Sequence, residues 1–114
     1  MTAIVDLTWT PVCALSALQP ECGVAVLLPD SSQVAVFLTF EGTLHAVGNL
    51  DPFSGAAVLS RGIVGDRGGV PVVMSPIYKQ AFDLVKGVCL DDDEVSIPVY
   101  PVRVLDDVVQ VGCP

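Results

Sequence analysis

The chain reads as a succession of short strands. Val34, Val36, Leu38 and Phe40 alternate with Ala35, Phe37 and Thr39, the two-residue period of a strand with a core face and a second, less buried face. Glu41-Gly42 then turns the chain into another run at 43–47. Runs rich in β-branched and aromatic residues occupy 9–14 and 23–28 before it, and 70–74, 81–84, 99–105 and 108–112 after it. Gly, Pro, Asp or Ser bounds each of them, so about seven or eight strands are expected. No stretch of about ten residues keeps a helical period. Asp106-Asp107 joins the last two runs as a two-residue hairpin loop, in which Asp must take the positive φ that Gly adopts freely. Pro98 and Pro101 cannot donate to a ladder, which puts the start of that strand at a sheet edge. Between 49 and 69 the pattern dissolves into Gly, Ser and Asp, an irregular segment long enough to be functional. No repeat, linker or low-complexity tract divides the sequence. One domain over residues 1–114 is therefore expected, all-β, as a small antiparallel sandwich or barrel.

A chain of 114 residues buries roughly two-thirds of its unfolded surface on folding, enough for a core without staples. The hydrophobic share of 52% and the mean hydropathy of +0.65 exceed what an isolated domain of this size requires. Part of the surface is expected to be covered by a partner. Thirteen acidic against five basic residues leave a net charge of -8, which repels phosphate backbones and anionic membranes and argues against a nucleic-acid partner. The basic residues are unevenly placed: none precedes Arg61, while Arg61, Arg67, Lys79 and Lys86 share one central stretch. Residues 1–9 have neither the basic start nor the apolar run of a secretory signal. The apolar stretch 11–29 is broken well short of the ~18 residues of a membrane helix. These features predict a soluble, cytoplasmic protein. Cys13, Cys22, Cys89 and Cys113 form no Cys-x-x-Cys pair or Cys/His group and are expected to be reduced structural thiols.

The strongest chemical signal lies in two loops, Asn49-Leu50-Asp51-Pro52-Phe53-Ser54-Gly55 and Ser75-Pro76-Ile77-Tyr78-Lys79-Gln80-Ala81-Phe82. Their spacing resembles that of a Rieske domain. In that family the first loop carries Cys-x-His, and the second carries Cys-x-x-His followed by Gly. The four ligand positions fall here on Asn49, Asp51, Ser75 and Tyr78. A Rieske [2Fe-2S] centre takes two thiolates on one iron and two imidazoles on the other. All four are missing here, and the oxygen donors in their place match a sulfide-bridged iron pair poorly. A Rieske-like fold without its cluster is the expectation. Phe53, Ile77 and Tyr78 are expected to fill the vacated space, with Pro52 and Pro76 stiffening the loops. On that view Tyr78→Ala costs about 3 kcal/mol of stability.

Four segments carry a closer resemblance: Asp51-Pro52-Phe53-Ser54, the nine residues from Val58 to Asp66, Ser75-Pro76-Ile77-Tyr78-Lys79-Gln80, and Phe82-Asp83-Leu84. In this order they resemble the small subunits of assimilatory NAD(P)H-dependent nitrite reductases, from about residue 9 to 111. Asp107, where Gly is common, and the extended acidic loop Asp91-Asp92-Asp93-Glu94 depart from the family pattern. The resemblance implies a partner, the nitrite reductase large subunit, which in that family holds FAD, a [4Fe-4S] cluster and sirohaem and reduces nitrite to ammonia. It implies no cofactor, metal or catalytic residue in this chain. Asp51, Phe53, Arg61, Tyr78 and Lys79 are the expected docking residues, projecting from the two loops. The competing readings are a Rieske-type ferredoxin, against which the missing ligands count, and a free-standing β binding or regulatory module.

Other candidates are weaker. His45 lies in an alternating strand with no nucleophile or ligand at motif spacing, and is expected to be structural. Residues 91–94 lack the Gly and the alternation of a calcium loop. The glycines between 62 and 69 lack the Gly-Lys-Ser/Thr ending of a phosphate loop.

Overall fold

The computed structural model describes residues 8–113; residues 1–7 and 114, including most of the stretch inspected for a secretory signal, lie outside them. Its strands are β1 (Thr8–Ala14), β2 (Cys22–Leu27), β3 (Gln33–Leu38), β4 (Leu44–Gly48), β5 (Ile63–Arg67), β6 (Val70–Met74), β7 (Ala81–Asp83), β8 (Val99–Tyr100), β9 (Val102–Leu105) and β10 (Val108–Cys113). The helical content of the described residues is two short 3₁₀ turns, at Leu15–Ala17 and Leu59–Arg61, and irregular loops make the longer connections. The all-β expectation holds. Three antiparallel sheets form, in the orders β1-β10-β9, β2-β3-β4-β8 and β5-β6-β7.

The middle sheet is apolar on both faces. Val34 and Val36 of β3 turn toward Val109 and Val111 of β10, whereas Ala35 and Phe37 turn toward Leu59, Val73 and Phe82. All four β3 residues are completely buried. The expected less-buried face is thus a second core, because the alternating partners of the valines are themselves apolar and a sheet packs against each side. Phe40, placed on the core face by its phase, is 81% exposed. The strand ends at Leu38 and the Glu41-Gly42 turn, with Gly42 at φ 90, has already carried Phe40 off the sheet.

Two further differences come from local chemistry. The irregular segment expected from 49 to 69 ends earlier, because Ile63–Arg67 pairs along its full length with Val70–Met74. The run 99–105 is two strands: β8 pairs with β4 and β9 with β10, and Pro101 marks the switch between sheets. Asp106 and Asp107 both adopt positive φ, as the two-residue hairpin requires. β4 and β6 each lead into one of two loops that meet: Gly48 precedes the loop that starts at Asn49, Met74 precedes the loop that starts at Ser75, and Ser75 bonds to Asp51. The tip so formed rests on β2 through the 3₁₀ turn at Leu59–Arg61. A Cβ at Gly23 would lie 2.6 Å from the Ser60 carbonyl oxygen and 2.5 Å from the Phe37 ring. Gly23→Ala is expected to destabilise the protein by about 1–3 kcal/mol through overpacking, read as a lower midpoint in urea unfolding.

Candidate functional site

The tip is held by hydrogen bonds between the positions that correspond to cluster ligands. Asn49, 2% exposed, accepts the Ser60 N–H at 2.7 Å through Oδ1. Its Nδ2 donates to the Ala57 carbonyl and to Gln33 Oε1, each at 3.3 Å. Asp51 is completely buried. Its Oδ1 accepts the Phe53 N–H at 2.9 Å, and its Oδ2 accepts the Ser54 hydroxyl at 3.0 Å and the Ser75 hydroxyl at 2.6 Å. Ser75, 1% exposed, accepts the Ile77 N–H at 3.2 Å on the same Oγ. One carboxylate therefore organises its own loop and ties it to the other.

The local sequence explains the aim of these side chains. Asp51-Pro52-Phe53 and Ser75-Pro76-Ile77 are matched turns, each headed by a polar side chain that accepts the N–H two residues on, with proline between. Backbone bonds close both loops: Asp51 N–H to Ala56 carbonyl at 2.8 Å, Gly55 N–H to Asp51 carbonyl at 2.8 Å, and Lys79 N–H to Ser75 carbonyl at 3.0 Å. Burial pushes the Asp51 carboxyl up, but the bonds from Ser75, the Phe53 N–H and Ser54 outweigh it and hold the group below the usual carboxylate range. It is an anion at neutral pH, stabilised entirely by neutral donors.

The expected aromatic filling does not occur as proposed. Ile77 is 47% and Tyr78 59% exposed, since the turn at Ser75-Pro76 directs both outward while the serine hydroxyl points in. Phe53 alone packs inward, its ring 6.1 Å from that of Phe82 in a tilted arrangement. Asp51, expected to project toward a partner, is buried and cannot do so. Arg61, Tyr78 and Lys79 are exposed at the tip, and the exposed Leu50, Pro52 and Ile77 extend the patch. Among the described residues neither Arg61 nor Lys79 is ion-paired. Polarity alone places a carboxylate outside and a phenol inside; the Asp-Pro and Ser-Pro turns are the signal that reverses this.

A Rieske-type [2Fe-2S] centre does not fit these residues. Asn49 has its side-chain oxygen and nitrogen engaged, and the 2.6 Å contact between Asp51 and Ser75 joins two ligand positions that an iron pair would have to separate. The donors are amide, carboxylate and hydroxyl, with no thiolate or imidazole among them. Among the described residues no group of three or more His, Cys, Asp or Glu side chains converges on a common point. His45 stands in β4, well away from the tip: it pairs in register with Phe37 and is half-buried.

The chain belongs to the Rieske-like [2Fe-2S] domain family, whose sequence profile matches residues 8–112. Within that family its relatives are narrower in kind. It is 40% identical over 104 residues to the nitrite reductase (NADH) small subunit of Escherichia coli K12, covering 90% of this chain and 95% of that one. It superimposes with a TM-score of 0.94, at 58% identity, on the crystal structure of a Mycobacterium tuberculosis protein assigned as an NADH-dependent nitrite reductase small subunit, covering 96% of this chain and 98% of that one. It is also 39% identical over 110 residues to the nitrite reductase [NAD(P)H] large subunit of Klebsiella oxytoca, where the match takes up 96% of this chain and 11% of that much longer one.

Removal of the buried carboxylate separates the two views of the tip. Asp51→Ala leaves the Ser75 hydroxyl and the Phe53 N–H unpaired and is expected to cost about 3 kcal/mol, whereas Tyr78→Ala stays within about 0.5 kcal/mol of the parent, as exposed positions do; both are read from urea unfolding. The Asp51 contribution is present above the unfolded aspartate pKa and is lost as pH falls through the lower folded value. The stability lead of the parent over Asp51→Asn is therefore expected to shrink below about pH 4, measured by unfolding midpoints at successive pH values.

Proposed function

We infer that the chain is the small, accessory subunit of a cytoplasmic NAD(P)H-dependent nitrite reductase, acting in the reduction of nitrite to ammonia during nitrate assimilation. Its partner is the large subunit, which supplies FAD, a [4Fe-4S] cluster and sirohaem. The observation that carries this reading is the tip: the two-loop architecture of a redox domain is kept, its ligand positions are sealed by Asp51 and Ser75, and apolar and cationic side chains are displayed around them. The identity to nitrite reductase small subunits along nearly the whole chain, and the match to part of a large subunit, support the same assignment. No helix among the described residues is long and apolar enough to cross a membrane.

Docking through the tip rests on Tyr78, Lys79 and Arg61 at its surface, with Phe53 beneath them holding the loop against Phe82. Asp51 acts from inside by fixing the loops. Lys79 has φ 62, a left-handed conformation in which a side chain costs about 1–2 kcal/mol. It occupies the position where the Rieske pattern has Gly, so the loop keeps its shape while carrying a cation outward.

Lys79→Gly is expected to leave stability unchanged or raise it by up to about 1 kcal/mol, while Tyr78→Ala and Lys79→Gly each weaken binding to the purified large subunit about tenfold. Binding is measured by calorimetry and activity as NADH oxidation with nitrite. A large subunit that does not bind the chain, and reduces nitrite equally well without it, contradicts the assignment.

A further inference from the structure

A second feature lies at the opposite end of the molecule from the tip. Between the β3–β4 turn and the β5–β6 hairpin runs an open groove of about 440 Å³. Topology sets it apart from the tip: Thr43, at the groove, precedes β4, which leads to Asn49, and Pro71, also at the groove, lies near the start of β6, which leads to Ser75. Val64 and Pro71 form apolar walls, and Phe40, 81% exposed, stands at the lip with Val85, 54% exposed.

The charged groups of the groove are of one sign, beside the neutral Thr39, Thr43 and His45. Glu21, Glu41 and Asp66 line it and no Lys or Arg does. Asp66 is fixed in place, accepting the Gly69 N–H at 2.7 Å through Oδ1. Among the described residues neither Glu21 nor Glu41 has an ion-pair partner, and the neighbouring Arg67 is committed to Asp91 at 3.1 Å. His45 adds no positive charge at neutral pH, since burial lowers its pKa against the opposing pull of Asp83 and the Leu84 carbonyl.

We propose that this groove receives a basic segment of the large subunit, an Arg or Lys whose aliphatic stem lies along Pro71 and Val85, and whose charge meets Glu21, Glu41, Asp66 and the face of Phe40. The proposal rests on the assignment of the chain as a small subunit and adds a second point of attachment to it. The chemistry selects the occupant. Apolar walls suit the methylene stem of a long basic side chain, and an exposed aromatic face beside carboxylates suits its cationic head. A phosphate-bearing or acidic segment is repelled. A bare divalent ion lacks converging ligands, because no three acidic or imidazole groups among the described residues meet. The tip displays Arg61 and Lys79 and this end displays carboxylates, so the two attachment points demand opposite charges from the partner and set its orientation.

The test compares the parent chain with Phe40→Ala/Glu41→Gln, two exposed changes distant from the tip, in calorimetric titrations with the purified large subunit at low and at physiological salt. Unfolding midpoints establish that the variant is folded. The expected result is a Kd raised at least tenfold with a weaker salt dependence than the parent's. Equal Kd values and equal salt dependence overturn the groove while leaving the small-subunit assignment intact. Absence of binding by the parent itself overturns both.

Discussion

The Asp51–Ser75 hydrogen bond is the contact on which the tip depends. It spans two loops that belong to different sheets, and its acceptor also organises the first loop through Phe53 and Ser54. A carboxylate with no solvent exposure is tolerated because three neutral donors satisfy it at once. In a cluster-bearing relative of the fold, metal-ligand bonds join the corresponding loops. Here the same geometric task is done by a hydrogen bond from a hydroxyl to a carboxylate, and the outward surface of the tip is released from any duty to ligate.

The middle sheet anchors that tip. β3 is buried on both faces, so the strand cannot shift to suit one core without disturbing the other. β4, its neighbour, delivers Asn49 directly from that doubly packed layer, and Asn49 in turn fastens Gln33 at the start of β3 to Ala57 and Ser60 in the loop. At the far edge, Arg103 lies 4.0 Å over the Trp9 ring and donates to Gln110 at 2.7 Å, tying the outer faces of β9, β1 and β10 together. Asp91 performs a comparable service for the third sheet, accepting the Ala81 N–H at 2.9 Å while pairing with Arg67.

Most strands were legible in the sequence because period-2 alternation and turn residues are local signals. β5 was hidden since Gly65 and Asp66 read as loop chemistry, although an edge strand with solvent on one side accepts both. The second core face of β3 does not stand out in the sequence, because Ala35 and Phe37 complete the alternation with residues as apolar as the valines. Phe40 kept the phase of a strand that had already ended. The two tip loops could be found from spacing and resemblance, but the direction of their side chains could not. Asp51 inside and Tyr78 outside is a tertiary outcome, decided by paired Asp-Pro and Ser-Pro turns facing each other across two sheets.

A tip closed by Asp51 and Ser75 is complete as soon as the polypeptide has folded. No assembly machinery has to deliver iron or sulfide to it, and no oxidant can dismantle it by attacking a cluster. The shape of the tip thereby depends on neither iron nor sulfide.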